Sequence, residues 1–170
     1  FEKVIGHNSY DVVILDDVTE GAAQTILQAK DLINDDTPLM TMNSDQLVDW
    51  DIERLFEMCE QFDGVIPCFY GEGNAWSYAR TLDNGYVQEV AEKKQISKYA
   101  TAGYYYWKKG SDFVKYAEQM IKDNSRTNGE FYVAPVYNWA VRDGKRIGVF
   151  MVDKCYSLGT PEDLQEYLNG

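Results

Sequence analysis

The stretch Pro38-Leu-Met-Thr-Met-Asn-Ser-Asp-Gln46 joins a short apolar run to a carboxylate placed where the run ends. The run has the length of a buried strand, and Asp45 follows its carboxyl end. Ligands of open α/β sheets bind outside the carboxyl ends of the strands, and Mg²⁺ takes only one or two protein carboxylates plus phosphate oxygens. Asn-Ser-Asp is equally typical of a turn and of a cap before the helix predicted over residues 47–62. The stretch therefore predicts either a helix cap or a metal ligand at Asp45.

Apolar runs and helical stripes alternate on both sides of this stretch. Residues 11–16 read as a strand that leads into a helix capped by Thr19, and residues 65–70 read as a further buried strand. Asp83-Asn-Gly85 between two alternating runs indicates a β-hairpin. A βαβαβ start that passes into a hairpin predicts an α/β fold with a mixed, mostly parallel sheet.

The second half of the chain continues the alternation. We expect a strand over residues 100–107, helices over residues 111–122 and 129–141, and a strand over residues 146–152. The last helix has a complete start signal, with Thr160 as N-cap, Pro161 at the first helical position and Asp163 as a weaker substitute for the capping-box Glu. No repeat, low-complexity tract or linker is visible, which predicts one domain over residues 1–170.

Composition excludes several classes of function. The net charge is −12, and no Lys/Arg cluster provides the phosphate contacts that a nucleic-acid binder needs. No apolar run approaches the length of a membrane span. The three cysteines, Cys59, Cys68 and Cys155, have neither zinc-site nor disulfide-framework spacing, which favours a reducing cytoplasm.

Six short motifs occur in an order and spacing that resemble the sugar-1-phosphate nucleotidyltransferases, also called NDP-sugar pyrophosphorylases. The resemblance runs from about residue 11 to the end of the chain. No motif is specific alone, and the order of the six carries the resemblance. They are Glu20-Gly-Ala-Ala-Gln24, Asn43-Ser-Asp45, Glu92-Lys93, Thr101-Ala-Gly-Tyr104, Asn128-Gly-Glu130 and Leu158-Gly-Thr-Pro-Glu-Asp-Leu164.

The resemblance implies a fold, a reaction and roles for particular residues. The fold would be the three-layer, Rossmann-like nucleotide-diphospho-sugar transferase fold. In the reaction, a sugar-1-phosphate oxygen attacks the α-phosphorus of an NTP and releases pyrophosphate, which needs positioning and charge neutralisation by Mg²⁺ and cationic side chains. The implied roles are Asp45 for the metal and for catalysis, Lys93 for catalysis and the substrate phosphate, Gly21, Gln24 and Asn43 for the nucleotide, and Glu92, Gly103 and Glu130 for the phosphorylated substrate.

The sequence departs from the family pattern in two places. The family begins with a strand and a Gly-rich loop that cradles the triphosphate, and this chain begins roughly where the third strand is expected, so residues 1–170 would form a partial domain without the first βαβ region. By itself such a domain is expected to be inactive. Many members also carry a second metal-binding Asp two residues before the Gly of the Gly-Thr motif, where this chain has Ser157.

Two alternatives stay open. In a glycosyltransferase of similar architecture, Asn43-Ser-Asp45 would act as a degenerate Asp-x-Asp metal motif and the protein would bind an NDP-sugar instead of making one. In a non-catalytic remnant, the fold would bind a sugar phosphate only. The nucleobase, the phosphorylated acceptor and the oligomeric state, for which a homo-oligomer is one option, are left open by the sequence.

Overall fold

The computed structural model describes residues 10–169, which form an α/β structure. The strands are β1 (Leu39–Met42), β2 (Gln46–Asp49), β3 (Gly64–Tyr70), β4 (Ser77–Thr81), β5 (Val87–Glu92), β6 (Tyr99–Thr101), β7 (Tyr104–Trp107), β8 (Ile147–Met151) and β9 (Lys154–Ser157). The α-helices are α1 (Ala22–Leu27), α2 (Lys30–Ile33), α3 (Ile52–Gln61), α4 (Gly110–Lys122), α5 (Tyr137–Arg142) and α6 (Pro161–Asn169), and a 3₁₀ turn covers Ala134–Val136.

Strand β3 is the centre of the main sheet. One edge of β3 pairs in parallel with β8 over five residues, and the other edge pairs antiparallel first with β7 and then with β6. Strand β1 lies outside β7, whereas β4 and β5 follow β6. Strands β2 and β9 form a separate antiparallel pair. Because β1, β3 and β8 run in the same direction, their carboxyl ends reach the same edge of the sheet.

Apolar side chains cover both faces of this sheet, which gives the three layers that the resemblance implied. On one face, Ile66 of β3 packs with helix α4 and the α5 segment, in a core that includes Phe113 and Tyr137. On the other face, Val65 packs with Leu55 and Cys59 of α3. Successive residues of β3 point to opposite faces, so its apolar run has no polar alternation.

Pro67 occupies β3 at the point where one neighbouring strand replaces another. Strand β7 pairs with Gly64 and Val65, and β6 pairs from Cys68 onward. The Pro67 carbonyl accepts a 2.8 Å hydrogen bond from the N–H of Ala102, in the β6–β7 connection. A proline lacks the N–H that a strand ladder uses, and here that missing donor faces a gap between two partners.

The sheet differs from the prediction in the direction of its strands. It is mixed, as expected, but among the described pairings only β3–β8 is parallel. A tight turn joins only one antiparallel pair, the hairpin β4–β5. The other antiparallel pairs join strands that are distant in the chain, and a local sequence pattern does not reveal their direction. The strand predicted over residues 11–16 is also absent. Residues 11–16 pair with no strand of the described chain, so their backbone groups form no sheet hydrogen bonds.

The helix predicted over residues 47–62 was placed too early. Residues 46–49 form β2, whose partner β9 the sequence did not reveal. The helix begins at Ile52, and its N-cap is Asp51, whose Oδ1 accepts the Arg54 N–H at 3.1 Å. The pairing with β9 keeps residues 46–49 in a strand, so only the second part of the helical sequence pattern forms a helix.

Three further boundaries need correction. The strand predicted over residues 100–107 is two strands, β6 and β7, because Gly103 turns the chain with φ 76°. The N-cap of α1 is Gly21 and not Thr19, and the helix predicted over residues 129–141 begins only at the 3₁₀ turn.

Two predictions made from short local sequence motifs agree with the structure. The hairpin β4–β5 forms around Asp83-Asn-Gly85, with Gly85 at φ 84°. At the last helix, Thr160 and Asp163 form a reciprocal capping box, with Thr160 Oγ1 accepting the Asp163 N–H at 3.1 Å and Asp163 Oδ2 accepting the Thr160 N–H at 3.2 Å. No helix within residues 10–169 combines the length and apolar character needed to cross a membrane.

The packing of α2 against the start of α4 gives a stability prediction. A Cβ added at Gly110 would lie 2.0 Å from the carbonyl oxygen of Ile33, which is backbone and cannot swing away. Gly110→Ala should therefore lower the free energy of unfolding by about 3 kcal/mol, the upper range for overpacking. Urea denaturation checks this value. Ser111→Ala is the control, because its side chain makes no described hydrogen bond, and equal midpoints for the two variants would contradict the packing.

Candidate functional site

Asp45 lies in the turn between β1 and β2, at the carboxyl end of β1, and its carboxylate is exposed. Its backbone carbonyl accepts the Leu158 N–H at 2.7 Å. Its Oδ2 lies 2.9 Å from the position that a Cβ on Gly159 would take, so a side chain at that glycine would crowd the carboxylate. Within the described residues, Asp45 caps no helix and its side chain accepts no hydrogen bond. Of the two interpretations of the sequence, the helix cap is therefore wrong.

Gly103 holds the β6–β7 connection against the same turn. Its carbonyl accepts the Asn43 N–H at 2.9 Å, and a Cβ there would meet the Gln46 side chain at 1.4 Å and Asn43 Nδ2 at 3.0 Å. The Asn43 Nδ2 group donates to Gln46 Oε1 at 3.3 Å. Asn43, Asp45 and Gly103 thus share one corner of the sheet. The positive φ favours glycine at position 103, and a larger residue there would also have to displace the Gln46 side chain.

Glu92 ends β5 in a largely buried polar cluster. The Ser77 hydroxyl donates a hydrogen bond to Glu92 Oε2 from the neighbouring strand. The hydroxyl groups of Thr101 and Tyr105 are 3.0 Å apart, and Glu92 contributes to the raised pKa of Tyr105, which results first from burial. Burial is also the main cause that raises the pKa of Glu92 above its ordinary value. A half-buried carboxylate that accepts hydroxyl donors suits a polar ligand that brings its own hydroxyl or amine.

Lys93 follows Glu92 in a left-handed conformation, with φ 51°, which turns its side chain away from the strand. Its Nζ donates to the Tyr132 hydroxyl at 3.0 Å and lies 5.1 Å from the centre of that ring. The hydrogen bond with Tyr132 is the first cause of a raised Lys93 pKa, and Glu92 and Glu130 add to it. The Lys93 ammonium is therefore charged at neutral pH, and the charges of Glu92 and Glu130 add to its stabilisation.

Gly21 and Gln24 lie at the N-terminus of α1, against the segment that carries Glu130. The Gly21 backbone has φ 132°, and a Cβ there would meet the N and O atoms of Phe131 at 2.6 Å. The Phe131 N–H donates to the Glu20 carbonyl at 2.8 Å, and its own carbonyl accepts the Ala23 N–H at 3.0 Å. The Gln24 side chain accepts the Glu20 N–H at 2.6 Å, so in this structure it serves the helix start.

The structure thus gathers the predicted residues into three neighbouring groups. The β6–β7 connection carries Gly103 and contacts the turn of Asn43 and Asp45. It also adjoins the cluster around Glu92, because Thr101 precedes the connection and Tyr105 follows it. Glu130 and Phe131 join the Glu92 cluster to the start of α1. Sequence analysis missed Ser77, Tyr105 and Tyr132. The first two had a signal, since polar atoms at inward positions of strands need partners, and Tyr132 had none.

The chemistry of the donors around Asp45 fits a metal only in part. Residues 10–169 contain no group of three or more His, Cys, Asp or Glu side chains placed to hold a metal. Ser157, at the position where a second family Asp was expected, pairs with Gln46 and donates its hydroxyl to Asp163 Oδ2 at 3.1 Å. The exposed Asp45 carboxylate is compatible with Mg²⁺ that takes its other ligands from water and from phosphates.

Comparison with known proteins identifies the family and agrees with this fold. The chain belongs to the nucleotidyl transferase family, whose profile matches residues 7–169. This result confirms the family that the six motifs indicated. No curated protein sequence matches the chain significantly.

Solved structures of sugar nucleotidyltransferases share the fold. A nucleoside-diphosphate-sugar pyrophosphorylase from Vibrio cholerae RC9 is 24% identical, with a TM-score of 0.76 over 92% of this chain and 68% of that one. A Bacillus anthracis protein described as a glucose-1-phosphate thymidylyltransferase, solved with sucrose, is 19% identical with a TM-score of 0.70 over 89% and 61%. A UDP-glucose pyrophosphorylase complexed with UDP-glucose is 15% identical with a TM-score of 0.70 over 88% and 61%. At these identities the likeness establishes the fold, and the chain spans about two thirds of each structure.

The buried position of Glu92 gives a pH prediction. Because its pKa is raised above 4.5, the folded protein keeps a proton that the unfolded chain has lost. The contribution of Glu92 to stability is thus full below the unfolded pKa and is lost as pH rises through the folded pKa. Glu92→Gln stays neutral and avoids this loss. The difference in melting temperature between Glu92→Gln and the parent should therefore shift in favour of the variant as the pH is raised from about 4.5 to neutral.

Thermal unfolding followed by circular dichroism across this pH interval measures the effect. Glu89→Gln is the control, since Glu89 lies on the same strand, has a partly exposed side chain and pairs with Arg80. A constant difference between Glu92→Gln and the parent at all pH values would show that Glu92 titrates normally.

Proposed function

We propose that the protein transfers a nucleotidyl group from an NTP to a sugar-1-phosphate or a similar phosphorylated small molecule and releases pyrophosphate. One observation carries the proposal. The exposed, unpartnered Asp45 carboxylate and the Glu92–Lys93–Glu130 cluster flank the same β6–β7 connection. A metal-bound triphosphate on one side and an acceptor on the other would then meet over Gly103.

The residues grouped around the β6–β7 connection would have distinct roles in this reaction. In the transfer, an acceptor phosphate oxygen forms a bond to the α-phosphorus, the bond from that phosphorus to the bridging oxygen breaks, and pyrophosphate leaves. Lys93 offsets phosphate charge with an ammonium whose pKa is raised. Glu92, held by Ser77, accepts a hydroxyl or amine donor of the acceptor. The corner formed by Gly103 and Asn43 fixes the turn that presents Asp45.

Mg²⁺ belongs to the proposal as the cofactor. Bound at Asp45, it would neutralise charge on the phosphates, which is the usual contribution of the metal in phosphoryl-type transfer. Asp45 would supply the protein ligand, while Gly159 keeps the space beside its carboxylate open. Because the chain spans 68% of one related structure and 61% of two others, the activity is proposed for the whole protein.

The full-length protein should release pyrophosphate when it is mixed with NTPs, Mg²⁺ and a panel of phosphorylated acceptors. A coupled pyrophosphate assay measures this directly. Transfer of sugar from an NDP-sugar without pyrophosphate would instead identify the glycosyltransferase of similar architecture. Binding of a sugar phosphate without turnover of any NTP would identify a non-catalytic domain.

Asp45→Asn should reduce kcat of the full-length protein by about 10²–10³-fold, the usual loss when one electrostatic contact to a phosphate transition state is removed. The fold should be unchanged, because the carboxylate makes no hydrogen bond within the described chain. Asp49→Asn, an exposed acid on the adjacent strand, serves as the control. Turnover of Asp45→Asn equal to that of the control would remove Asp45 from the metal site.

Lys93→Ala should raise KM for the phosphorylated acceptor about tenfold, the effect of losing one charged hydrogen bond, and leave KM for the nucleotide nearly constant. Lys94→Ala is the matched control, as Lys94 is exposed and adjacent. Steady-state kinetics with each substrate varied in turn separates the two constants. A change confined to the nucleotide KM would mean that Lys93 contacts the triphosphate.

A further inference from the structure

A cavity of about 690 Å³ opens beside the candidate site. Strand β9 and helix α6 form one wall, and Trp76, just before β4, forms part of the other. The residues that define its chemistry are Trp76, Tyr156, Ser157, Asp163, Glu166 and Tyr167. None of them was assigned a ligand role from the sequence.

The cavity adjoins both halves of the candidate site. At one end, Ser157 pairs with Gln46, the residue after Asp45. At the other end, the Trp76 carbonyl accepts the Lys93 N–H at 3.0 Å. The backbone at Lys93 therefore adjoins the cavity, and in the proposed function an acceptor bound at Glu92 and Lys93 would have its other end there.

Aromatic rings supply much of the cavity wall. The rings of Tyr156 and Tyr167 meet edge to face with centroids 5.1 Å apart, which links β9 to α6. The indole of Trp76 packs at nearly a right angle against Phe69, also at 5.1 Å. These contacts hold three electron-rich rings around one space, and cations bind favourably to the faces of such rings.

The charges in the cavity have one sign. Asp163 and Glu166 line it, and neither residue forms an ion pair with any described Lys or Arg. Among residues 10–169, no Lys, Arg or His lines the wall. Cys155, which also borders the space, remains a neutral thiol because burial raises its pKa to about 11. The cavity thus combines aromatic rings with two carboxylates, and the described part of the chain supplies no cation to it.

We infer that this cavity binds a substituted ammonium group, so that the acceptor of the proposed nucleotidyl transfer is the phosphoester of an amino alcohol. The inference rests on the proposed function for the phosphate end and on the cavity for the ammonium end. A quaternary ammonium group offers apolar methyls to the rings and a charge that offsets the carboxylates. An uncharged sugar could stack on the same rings, but it would leave both carboxylates without a counter-charge.

Isothermal titration calorimetry on the full-length protein, at constant ionic strength, tests the ammonium end without any turnover. The probes are choline and 3,3-dimethylbutan-1-ol, which has the same shape without the charge. Choline should bind at least about tenfold more tightly, a difference within the range of cation–π and carboxylate attraction combined. Equal binding of the two probes, or tighter binding of glucose than of choline, would overturn the inference.

Variants locate the binding in this cavity. Trp76→Leu should weaken choline binding about fivefold to tenfold, and Trp76→Phe, which keeps a ring, should weaken it less. Glu166→Gln should also weaken binding, whereas Glu162→Gln should not, because Glu162 is exposed on the same helix outside the cavity. Both glutamates are exposed, so neither substitution disturbs the core. If Glu166→Gln and Glu162→Gln weakened choline binding equally, the effect would be one of general charge and not of this cavity.

The same preparation separates this inference from the proposed function. Pyrophosphate release with phosphocholine and not with glucose-1-phosphate supports both. Release with sugar phosphates, together with no choline binding, overturns the ammonium site and leaves the nucleotidyltransferase. Choline binding without pyrophosphate release from any acceptor overturns the nucleotidyltransferase and leaves the ammonium site.

Discussion

The proline at the middle of β3 interrupts the strand pairing along one edge of this central strand, and the candidate site lies beside that interruption. Pro67 has no N–H to offer, and at this point β7 ends its pairing and β6 begins its own. The carbonyl of the same proline still accepts the Ala102 N–H at 2.8 Å, which ties the β6–β7 connection to the central strand. Gly103 follows immediately and reaches the turn of Asp45. The strand position that lacks a backbone donor thus lies beside the connection that carries Gly103 to the turn of Asp45.

The sequence predicted those features whose causes are local. The capping box of Thr160 and Asp163 and the turn at Gly85 depend on a few neighbouring residues, and both form as expected. Strand β2 depends on β9, which is about a hundred residues away, and a single sequence does not show that pairing. The same distinction between local and long-range causes applies to the candidate site. Its residues could be named from motifs, but the burial of Glu92 comes from strands that meet only in the fold.

Charge explains how an acidic chain could handle phosphates. The net charge is −12, so an approaching triphosphate or phosphorylated acceptor meets repulsion over most of the surface. Lys93 is a local exception, and Glu92, Glu130 and Tyr132 keep it protonated. The carboxylates of the neighbouring cavity repel a phosphate and attract an ammonium group. An acceptor with opposite charges at its two ends would therefore enter in one orientation, which is the condition that an in-line attack requires.

Ser157 and Asp163 explain why the metal proposed at Asp45 would have only one ligand from the protein. The Ser157 hydroxyl donates to the carboxylate that caps α6, so the two positions are within hydrogen-bond distance, at 3.1 Å. An aspartate at position 157 would place a second negative charge against Asp163, and two such carboxylates cannot both ionise without cost. The serine therefore suits a helix that is capped by Asp163. With that arrangement, the proposed metal at Asp45 would take its remaining ligands from the substrate, and we expect its affinity for the protein alone to be low.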